Sequence, residues 1–324
     1  MSFHHLPVLL SECLEGLAIK PIGVYLDCTL GGAGHSGEIL KRLGAGGLLI
    51  GIDRDAEAIE AASARLAGIA SGARFICLRG NFHDAPALLS EAKIDSGLDG
   101  VLIDLGVSSH QLDVRERGFS YHDDAPLDMR MDQSQALSAR EIVNGWSEDA
   151  LNRILRDYGE EKWARQIARV ICDRRKAAPI ETTGQLVNIV DAAIPKKLRQ
   201  ADGSHPARRT FQALRIAVND ELEPLEAALR ALVELLNPGG RLCAITFHSL
   251  EDRIVKNTFK SLADPCTCPK SFPVCVCGKK PTVKLITRKP ITASEAELAA
   301  NPRSRSASLR IIEKLPPQII TPNS

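Results

Sequence analysis

The chain has 324 residues, of which 44% are hydrophobic and 25% charged, with a net charge of +1. These values are typical of a globular protein and exclude a disordered, collagen-like or mucin-like chain. No apolar run reaches the roughly 18 residues needed to cross a bilayer, and residues 1–5 lack the features of a signal peptide, so we expect a cytoplasmic protein. Residues 1–104 hold 8 basic and 13 acidic residues, a net charge of −5, whereas the remaining 33 basic and 27 acidic residues give +6. The basic part suggests an anionic partner, with chance variation and solvated helix faces as the alternative.

Near-continuous apolar runs alternate with helical patterns over the first third of the chain. Strands are predicted at residues 24–27, 48–53, 74–78 and 100–104, with helices between them at 36–43, 56–68 and 84–92. Apolar strands separated by helices predict a parallel sheet that is covered on both faces. Asp27, Asp53 and Asp104 each end a strand, at the edge where open α/β sheets bind ligands. We therefore expect the functional site at this edge.

The pattern changes after the fourth strand. Residues 105–137 are polar and loop-rich, and residues 138–216 have helical periodicity that begins with a capping box of Ser138 and Glu141. The sheet pattern returns with a helix at 222–236, the turn signal Asn237-Pro238-Gly239-Gly240, a strand at 241–247, a helix at 250–262 and strands at 283–287 and 308–313. The sequence therefore predicts an α/β fold in which residues 1–112 and 216–324 form a seven-stranded Rossmann-like sheet. Residues 113–215 are expected to form an inserted, mainly helical subdomain.

The loop after the first strand has the pattern Gly32-x-Gly34-x-x-Gly37 and is followed by Asp53. A tight strand-to-helix turn that needs glycine would give the same pattern without any ligand. As a nucleotide site, the loop suits either a nicotinamide dinucleotide or S-adenosylmethionine, since Asp53 can hold the ribose of both. The carboxylates of Asp27 and Asp104 would repel a pyrophosphate but attract an ammonium and a sulfonium group. This acidic mouth favours S-adenosylmethionine.

Several longer motifs carry a family resemblance. They are residues 27–36, Asp104-Leu105-Gly106-Val107-Ser108-Ser109-x-Gln111-Leu112-Asp113, Arg117-Gly118-Phe119-Ser120, residues 126–132, Tyr158-Gly159-Glu160-Glu161, His205-Pro206-Ala207-x-Arg209-Thr210-Phe211-Gln212-Ala213 and Phe247-His248-Ser249-Leu250-Glu251-Asp252-Arg253. Through them the chain resembles the bacterial small-subunit ribosomal RNA methyltransferase H family over nearly its whole length. The resemblance implies a class I methyltransferase fold and S-adenosylmethionine-dependent N4-methylation of a cytidine in the decoding region of 16S ribosomal RNA. It further implies the ribosomal RNA or the 30S particle as partner, no membrane, and a monomer or weak homodimer.

The resemblance also implies a set of cofactor contacts. They are Ala33, Gly34 and His35 beside the methionine part, Asp53 on the ribose, Phe82 beside the adenine, and Asp104 and Gln111 closing the pocket. The family usually has glycine at the position of Ala33. A contact through the backbone N–H should survive this change, provided that φ of Ala33 is negative.

Methylation of an exocyclic amino group needs an acceptor for the amino proton. Many amino methyltransferases place an Asp/Asn-Pro-Pro-Tyr element after the fourth strand for this purpose, and this chain has neither its prolines nor its aromatic residue there. The candidate acceptors are Ser108, Ser109, Asp128 and His248, of which we favour Asp128 and then His248. Helix capping or loop hydrogen bonding is the alternative role for each.

Two basic clusters lie in or beside the predicted insertion. One comprises Lys162, Arg165, Arg169, Arg174, Arg175 and Lys176 with Asp173 as its acid, and the other comprises Lys196, Lys197, Arg199, Arg208, Arg209 and Arg215 with Asp202, interleaved with His205 and Phe211. Arg165, Arg169 and Lys176 are predicted to share nearly one helix face. Phosphate binding to RNA and a solvated helix face would both give this pattern.

Four of the nine cysteines cluster as Cys266-x-Cys268 and Cys275-x-Cys277, with Pro265, Pro269 and Pro273 around them. A tetrahedral zinc site, reduced thiols in a turn and an oxidation-sensitive hairpin are all compatible with this pattern. The usual structural zinc spacing is C-x₂₋₄-C, so the spacing alone assigns no metal.

Two other functions remain open at this stage. A nicotinamide-dependent dehydrogenase would have the same sheet, although Asp27 disfavours it. A ribosome-assembly factor that binds RNA and retains only a vestigial cofactor pocket would explain the basic clusters, although the intact loop residues disfavour it.

Overall fold

The computed structural model describes residues 6–198, 205–269 and 271–317. The chain divides into two compact units: a sheet unit of Met1–Gly106 and Leu222–Ser324, and a helical unit of Val107–Glu221. The helical unit is six residues longer at each end than the insertion expected at 113–215. No helix in the described ranges combines the length and apolarity of a membrane span.

The sheet unit contains one seven-stranded sheet with the order β3-β2-β1-β4-β5-β7-β6. Its strands are β1 (Val24–Asp27), β2 (Leu48–Asp53), β3 (Arg74–Arg79), β4 (Leu98–Asp104), β5 (Leu236–Thr246), β6 (Val283–Leu285) and β7 (Ser308–Lys314). Strands β1 to β5 pair in parallel, and β7 is antiparallel to both β5 and β6. The expected seven-stranded, Rossmann-like α/β sheet is confirmed.

The α-helices are numbered in chain order. They are α1 (Leu10–Leu17), α2 (Gly34–Leu40), α3 (Ala56–Ala67), α4 (Ala85–Glu91), α5 (Ser109–Asp113), α6 (Ala139–Gly145), α7 (Glu148–Asp157), α8 (Ala164–Arg174), α9 (Thr183–Ala193), α10 (Arg208–Asn219), α11 (Leu225–Leu235), α12 (Ser249–Ala263) and α13 (Glu295–Ala300). Helices α5 to α10 belong to the helical unit and the others to the sheet unit.

Two apolar clusters cover the two faces of the sheet. Leu26 and Ile50 belong to one cluster, and their neighbours Tyr25 and Leu49 belong to the other. Successive strand residues point to opposite faces, so a strand that is apolar at every position buries both. This is why the near-continuous apolar runs predicted the sheet.

Strand β5 differs from its sequence prediction, which placed its start at residue 241. Leu236 already pairs with Leu98 of β4, and Arg241 pairs with Gly100, so the intervening residues bulge out of the ladder. Within the bulge, Gly239 has φ +82°, which favours glycine. The predicted turn residues, Asn237 to Gly240, form a bulge within β5 and not a turn before it. The reason is that β5 pairs with β4 on both sides of these residues.

The helical unit has its own apolar core, which includes Leu151, Ile167 and Phe211. The capping box of Ser138 and Glu141 is confirmed at the start of α6, and Thr182 and Gln185 form another at α9. Its described residues contain no strand, which agrees with the helical pattern of the sequence.

Candidate active site

The loop between β1 and α2 is held together by the Asp27 carboxylate. Its Oδ2 accepts a hydrogen bond from the Ser36 hydroxyl at 2.7 Å and its Oδ1 accepts one from the Thr29 N–H at 3.1 Å. The side chain is buried, and this burial raises the pKa of Asp27. The expectation that Asp27 opens into an acidic mouth is therefore wrong: its oxygens face the loop that it organises.

Asp53, at the end of β2, lies against the same loop. Its Oδ2 accepts a hydrogen bond from the Gly31 N–H at 2.8 Å, and its Oδ1 accepts one from the Asp55 N–H at 2.9 Å. Burial raises the pKa of Asp53 to about 6, against the opposing effect of these two hydrogen bonds. Each carboxylate oxygen has a second lone pair, so the group can still accept hydrogen bonds from a vicinal diol. The glycine loop and Asp53 are thus brought together as the sequence predicted.

Ala33 corrects one sequence expectation. Its φ is +55°, in the left-handed region, so the condition of a negative φ is not met. Its N–H donates to the Leu30 carbonyl at 2.8 Å and closes the turn within the loop. Ala33 therefore shapes the loop, and its amide is already used. At Gly34, a Cβ atom would lie only 2.7 Å from Cγ of Pro7, so the chain passes close by at this point.

His35 and Asp104 face each other at the start of α2 and the end of β4. The His35 Nε2 lies 2.9 Å from the Val8 carbonyl, which can only accept, so Nε2 carries the proton and Nδ1 is an acceptor. Burial lowers the pKa of His35 to about 4, which keeps the ring neutral. Its Nδ1 lies 3.8 Å from Oδ2 of Asp104.

The Asp104 carboxyl is the strongest electrostatic feature of this edge. Burial, followed by the charges of Asp27 and Glu251, raises its pKa to about 8. Its Oδ1 is enclosed and has no hydrogen-bond partner among the described residues. A carboxyl with one unpaired buried oxygen, Oδ1, and with its other oxygen near the acceptor nitrogen of His35 suits a cationic donor such as an ammonium group.

Phe82 lies at the neighbouring strand end, just after β3. It is buried among apolar side chains, and the Gly80 N–H donates to the Asp53 carbonyl at 2.9 Å, which ties this segment to β2. The next residue, His83, was not singled out by the sequence analysis. Its ring packs edge-on against Phe82 at 4.3 Å, and its buried Nε2 has no hydrogen-bond partner within the described chain. Burial and the charge of Arg54 lower the pKa of His83 to about 4, so a neutral polar ring adjoins the position expected for adenine.

Gln111 and Ser109 belong to the helical unit, at the start of α5. Ser108 caps this helix: its hydroxyl accepts a hydrogen bond from the Gln111 N–H, and Gln111 Oε1 accepts one from the Ser108 N–H at 3.0 Å. The capping alternative for Ser108 is therefore realised, and Ser109 is the first residue of the helix. A cofactor contact of Gln111 and a catalytic role of Ser109 stay predictions.

The favoured acceptor, Asp128, is paired with Arg130. The guanidinium Nη2 lies 2.7 Å from Asp128 Oδ2 and its Nε lies 2.9 Å from Oδ1. Met129, between them, has φ +63°, in the left-handed region. Buried Asn219 fixes the turn, since its Nδ2 donates to the Met129 carbonyl at 2.8 Å. Asp128 thus sits in a rigid loop, with its charge shared with a guanidinium.

His248, the second candidate, is the N-cap of α12. Its Nδ1 accepts a hydrogen bond from the Glu251 N–H at 3.4 Å, and its Nε2 lies 3.0 Å from Glu251 Oε1. The capping alternative is therefore realised for His248 as well. It follows β5, whose Ile245 pairs with Asp104, so it lies at the ligand-binding edge of the sheet unit.

The basic residues of the helical unit differ in their exposure and in their ion pairs. Arg165, Arg169 and Lys176 are exposed, and Lys176 is paired with Asp173 at 2.9 Å. Arg215 lies 2.7 Å from Glu221 in a largely buried ion pair, so it is a structural residue and not a phosphate ligand. The expected members Arg199 and Asp202 lie outside the described residues.

An aromatic group accompanies the second basic cluster. The rings of Tyr121 and His205 stack at 4.7 Å with an interplanar angle of 22°, and Phe211 meets Tyr121 edge-on at 5.7 Å. Phe211 is buried and His122, 4.5 Å from the Tyr121 ring, is exposed, so the group extends from the core to the surface. Tyr121 and His122 were not singled out from the sequence, since their proximity to His205 depends on the tertiary fold.

The sequence is similar to those of known proteins over nearly its whole length. The model of the MraW methylase family matches residues 2–315 of the chain. A protein of Symbiobacterium thermophilum named ribosomal RNA small subunit methyltransferase H is 57% identical over 315 residues, covering 97% of this chain and 98% of that protein. Proteins of the same name from Clostridioides difficile and Acetivibrio thermocellus are 55% and 57% identical, each covering 97% of this chain and 100% of the relative.

Proposed function

The chain belongs to the MraW methylase family, and we propose that it methylates N4 of a cytidine in the decoding region of 16S ribosomal RNA with S-adenosylmethionine as methyl donor. The observation that carries this proposal is the Asp104 carboxyl: its Oδ2 lies 3.8 Å from the acceptor nitrogen of His35, and its enclosed Oδ1 has no hydrogen-bond partner among the described residues. A methionine ammonium can donate hydrogen bonds to both groups, whereas a dinucleotide pyrophosphate has no hydrogen to donate to them. The dehydrogenase alternative is disfavoured for this reason.

The remaining cofactor contacts follow from the strand ends. Asp53 holds the ribose hydroxyls with the lone pairs that Gly31 and Asp55 leave free. Phe82 offers an apolar surface to the adenine, and the neutral His83 adds a polar atom beside it. Gln111 is the remaining residue that we assign to the cofactor. When bound, the cofactor supplies a methyl group on a positively charged sulfur.

The residues around the target must localise the lone pair of N4 and take its proton. The cytosine has to be unstacked to reach the strand ends, so the substrate nucleotide is flipped or single-stranded. A carboxylate oxygen of Asp128 accepts an amino hydrogen and then the proton that N4 loses, while Arg130 holds the carboxylate in place. His248 and Ser109 are the alternative acceptors, each tied to a helix start.

The helical unit binds the RNA. The exposed guanidinium groups of Arg165 and Arg169, one helical turn apart on α8, suit successive phosphates, and the aromatic group around Tyr121 suits a stacked base. The partner is the small-subunit ribosomal RNA or the 30S particle in the cytoplasm, and the enzyme acts as a monomer or weak homodimer.

A single-turnover assay tests the function. Unmethylated 30S particles and their naked 16S RNA are incubated with the chain and methyl-labelled S-adenosylmethionine, and the RNA is digested to nucleosides. We expect label in N4-methylcytidine, and none with the Asp104→Asn variant. Absence of labelled cytidine from both substrates, with RNA binding intact, would instead support the assembly-factor alternative.

A further inference from the structure

The segment between α12 and β6 brings the four clustered cysteines together. The Sγ atoms of Cys266 and Cys275 lie 3.4 Å apart, as do those of Cys275 and Cys277, whereas the pairs Cys268–Cys275 and Cys266–Cys277 are 3.9 Å apart. All four sulfurs lie within 4.8 Å of one another. None of these pairs is a disulfide.

These distances match the edges of a tetrahedron around one small ion. Zinc–thiolate bonds of about 2.3 Å place the sulfurs of a tetrahedral site about 3.8 Å apart. Four of the six sulfur pairs lie 3.4–3.9 Å apart, which brackets this value, and the other two pairs lie within 4.8 Å. Four thiolates in this arrangement favour zinc among the common metals, and the space between them holds a single ion. We propose that Cys266, Cys268, Cys275 and Cys277 bind one structural Zn²⁺ ion.

The unusual spacing does not keep the sulfurs apart. The Sγ atoms of Cys275 and Cys277, two residues apart in the chain, lie 3.4 Å from each other, so a Cys-x-Cys pair can direct both sulfurs at one ion. The Val276 N–H donates to Cys268 Sγ at 3.3 Å, the kind of outer contact that steadies a metal-bound thiolate. The C-x₂₋₄-C rule therefore does not exclude this site.

The described residues of this segment form no apolar core and no regular structure that would hold the sulfurs together. None of its described residues from 264 to 282 is buried, and no helix or strand is formed within that described stretch. Its large apolar side chains, Phe272, Val274 and Val276, are 51%, 70% and 71% exposed. A loop of this length without a core needs a cross-link or a metal to keep one conformation. The ion supplies this constraint and fixes the connection into β6.

Metal content is the first test and requires no variant. The full chain, purified under reducing conditions with zinc in the medium, is expected to hold one zinc per chain by mass spectrometry of the metals. Replacement by Co²⁺ should give the visible absorption of a tetrahedral cobalt–thiolate site. A chain without zinc, with iron in its place, or with two disulfides in this segment by peptide mapping would overturn the proposal.

Variants locate the ion within the chain. The double variant Cys268→Ser/Cys277→Ser should lose the zinc and become sensitive to proteases between residues 264 and 282. The matched variant Cys77→Ser/Cys172→Ser removes two partly exposed cysteines elsewhere and should keep both the zinc and the protection. Equal zinc loss in the two variants, or full zinc retention in the first, would place the ion elsewhere and contradict the assignment.

Discussion

Nδ1 of His35 lies 3.8 Å from Oδ2 of Asp104, and both atoms are acceptors. The ring cannot relieve this by taking up a proton at neutral pH, because burial lowers its pKa to about 4. The carboxyl relieves it by holding its own proton, since its pKa is raised to about 8. At neutral pH the proton on Asp104 therefore takes the place that a bound cation would fill.

This arrangement predicts that cofactor binding releases a proton. A bound ammonium favours the carboxylate form of Asp104, so between pH 6.5 and 7.5 the affinity should rise by up to about tenfold per pH unit. Above a pH of about 8 the ligand's own α-amino group loses its proton and the affinity should fall. Calorimetry in buffers of different ionisation enthalpy measures the proton release. Asp104→Asn should bind weakly with no pH slope below 7.5, and a wild-type affinity independent of pH would contradict the role of Asp104.

Because the pKa of the Asp104 carboxyl is raised, we predict that Asp104→Asn stabilises the cofactor-free protein. The folded-state pKa of Asp104, about 8, lies above its unfolded value, so the native state binds the proton more tightly. Its contribution to stability is therefore lost progressively as the pH rises from about 4 to about 8. The variant should unfold at a higher temperature than the wild type at pH 8 and show a smaller difference at pH 5. A constant difference across this range would mean that Asp104 does not titrate as described.

Asp53→Ala should weaken S-adenosylmethionine binding. Loss of charge-assisted hydrogen bonds to the ribose costs about 1.5–3 kcal/mol of binding free energy. Asp84→Ala, which removes an exposed carboxylate just after Phe82, is the control and should bind normally. Calorimetry that finds equal affinity for both variants, with both folded, would remove Asp53 from the cofactor site.

Ala33→Gly should leave the free energy of unfolding unchanged or higher. Alanine in the left-handed region costs about 1–2 kcal/mol, and glycine relieves this at an entropic cost of about 0.5–1 kcal/mol. Ala64→Gly, at an exposed position inside α3, should instead lower stability by about 1 kcal/mol. Denaturant unfolding compares the two. An equal loss in both variants would mean that the loop position carries no strain.

The sequence predicted strands and helices, because these depend on residues that are close together in the chain. It did not predict backbone angles and side-chain contacts that depend on the tertiary fold. The strand ending at Asp53 followed from a local apolar run. The sign of φ at Ala33 did not, because it is set by the hydrogen bond that closes the loop on Leu30. Similarly, the positive φ of Met129, between Asp128 and Arg130, is not suggested by its residue type. The distance between the sulfurs of Cys266 and Cys275 also could not be predicted from their spacing in the sequence, because the segment between them has no regular secondary structure.

Replacing Arg165, Arg169 and Lys176 with alanine should weaken RNA binding. The slope of log affinity against log salt should fall by about 0.7 for each phosphate of single-stranded RNA that the variant no longer binds. Lys41, Arg42 and Arg230 offer a charge-matched triple variant in the sheet unit, which should bind RNA normally. Affinity for S-adenosylmethionine should be the same in both. If the two triple variants lost RNA affinity equally, only net charge would matter and Arg165, Arg169 and Lys176 would have no specific role.

Asp128→Asn should retain cofactor and RNA binding and slow methyl transfer by about 10²-fold or more, the scale of a lost general base. Asparagine keeps the shape of the side chain, but its amide accepts the N4 proton poorly. The control is Asp132→Asn, in the same loop. It replaces a carboxylate that accepts a hydrogen bond from the Ser134 hydroxyl, and its rate of methyl transfer should be near normal. Single-turnover rates at saturating substrate measure this step apart from binding.

The ion pair with Arg130 provides the discriminating variant, because loss of the pair could by itself disturb the loop. If Asp128 serves only to anchor Arg130, then Arg130→Met should slow the reaction as much as Asp128→Asn does. If Asp128 accepts the proton, Arg130→Met leaves the carboxylate in place and should be clearly the faster of the two variants. His248→Asn preserves an N-cap at α12 and tests the alternative acceptor under the same conditions. A near-normal rate for Asp128→Asn together with a slow His248→Asn would move the acceptor role to the histidine.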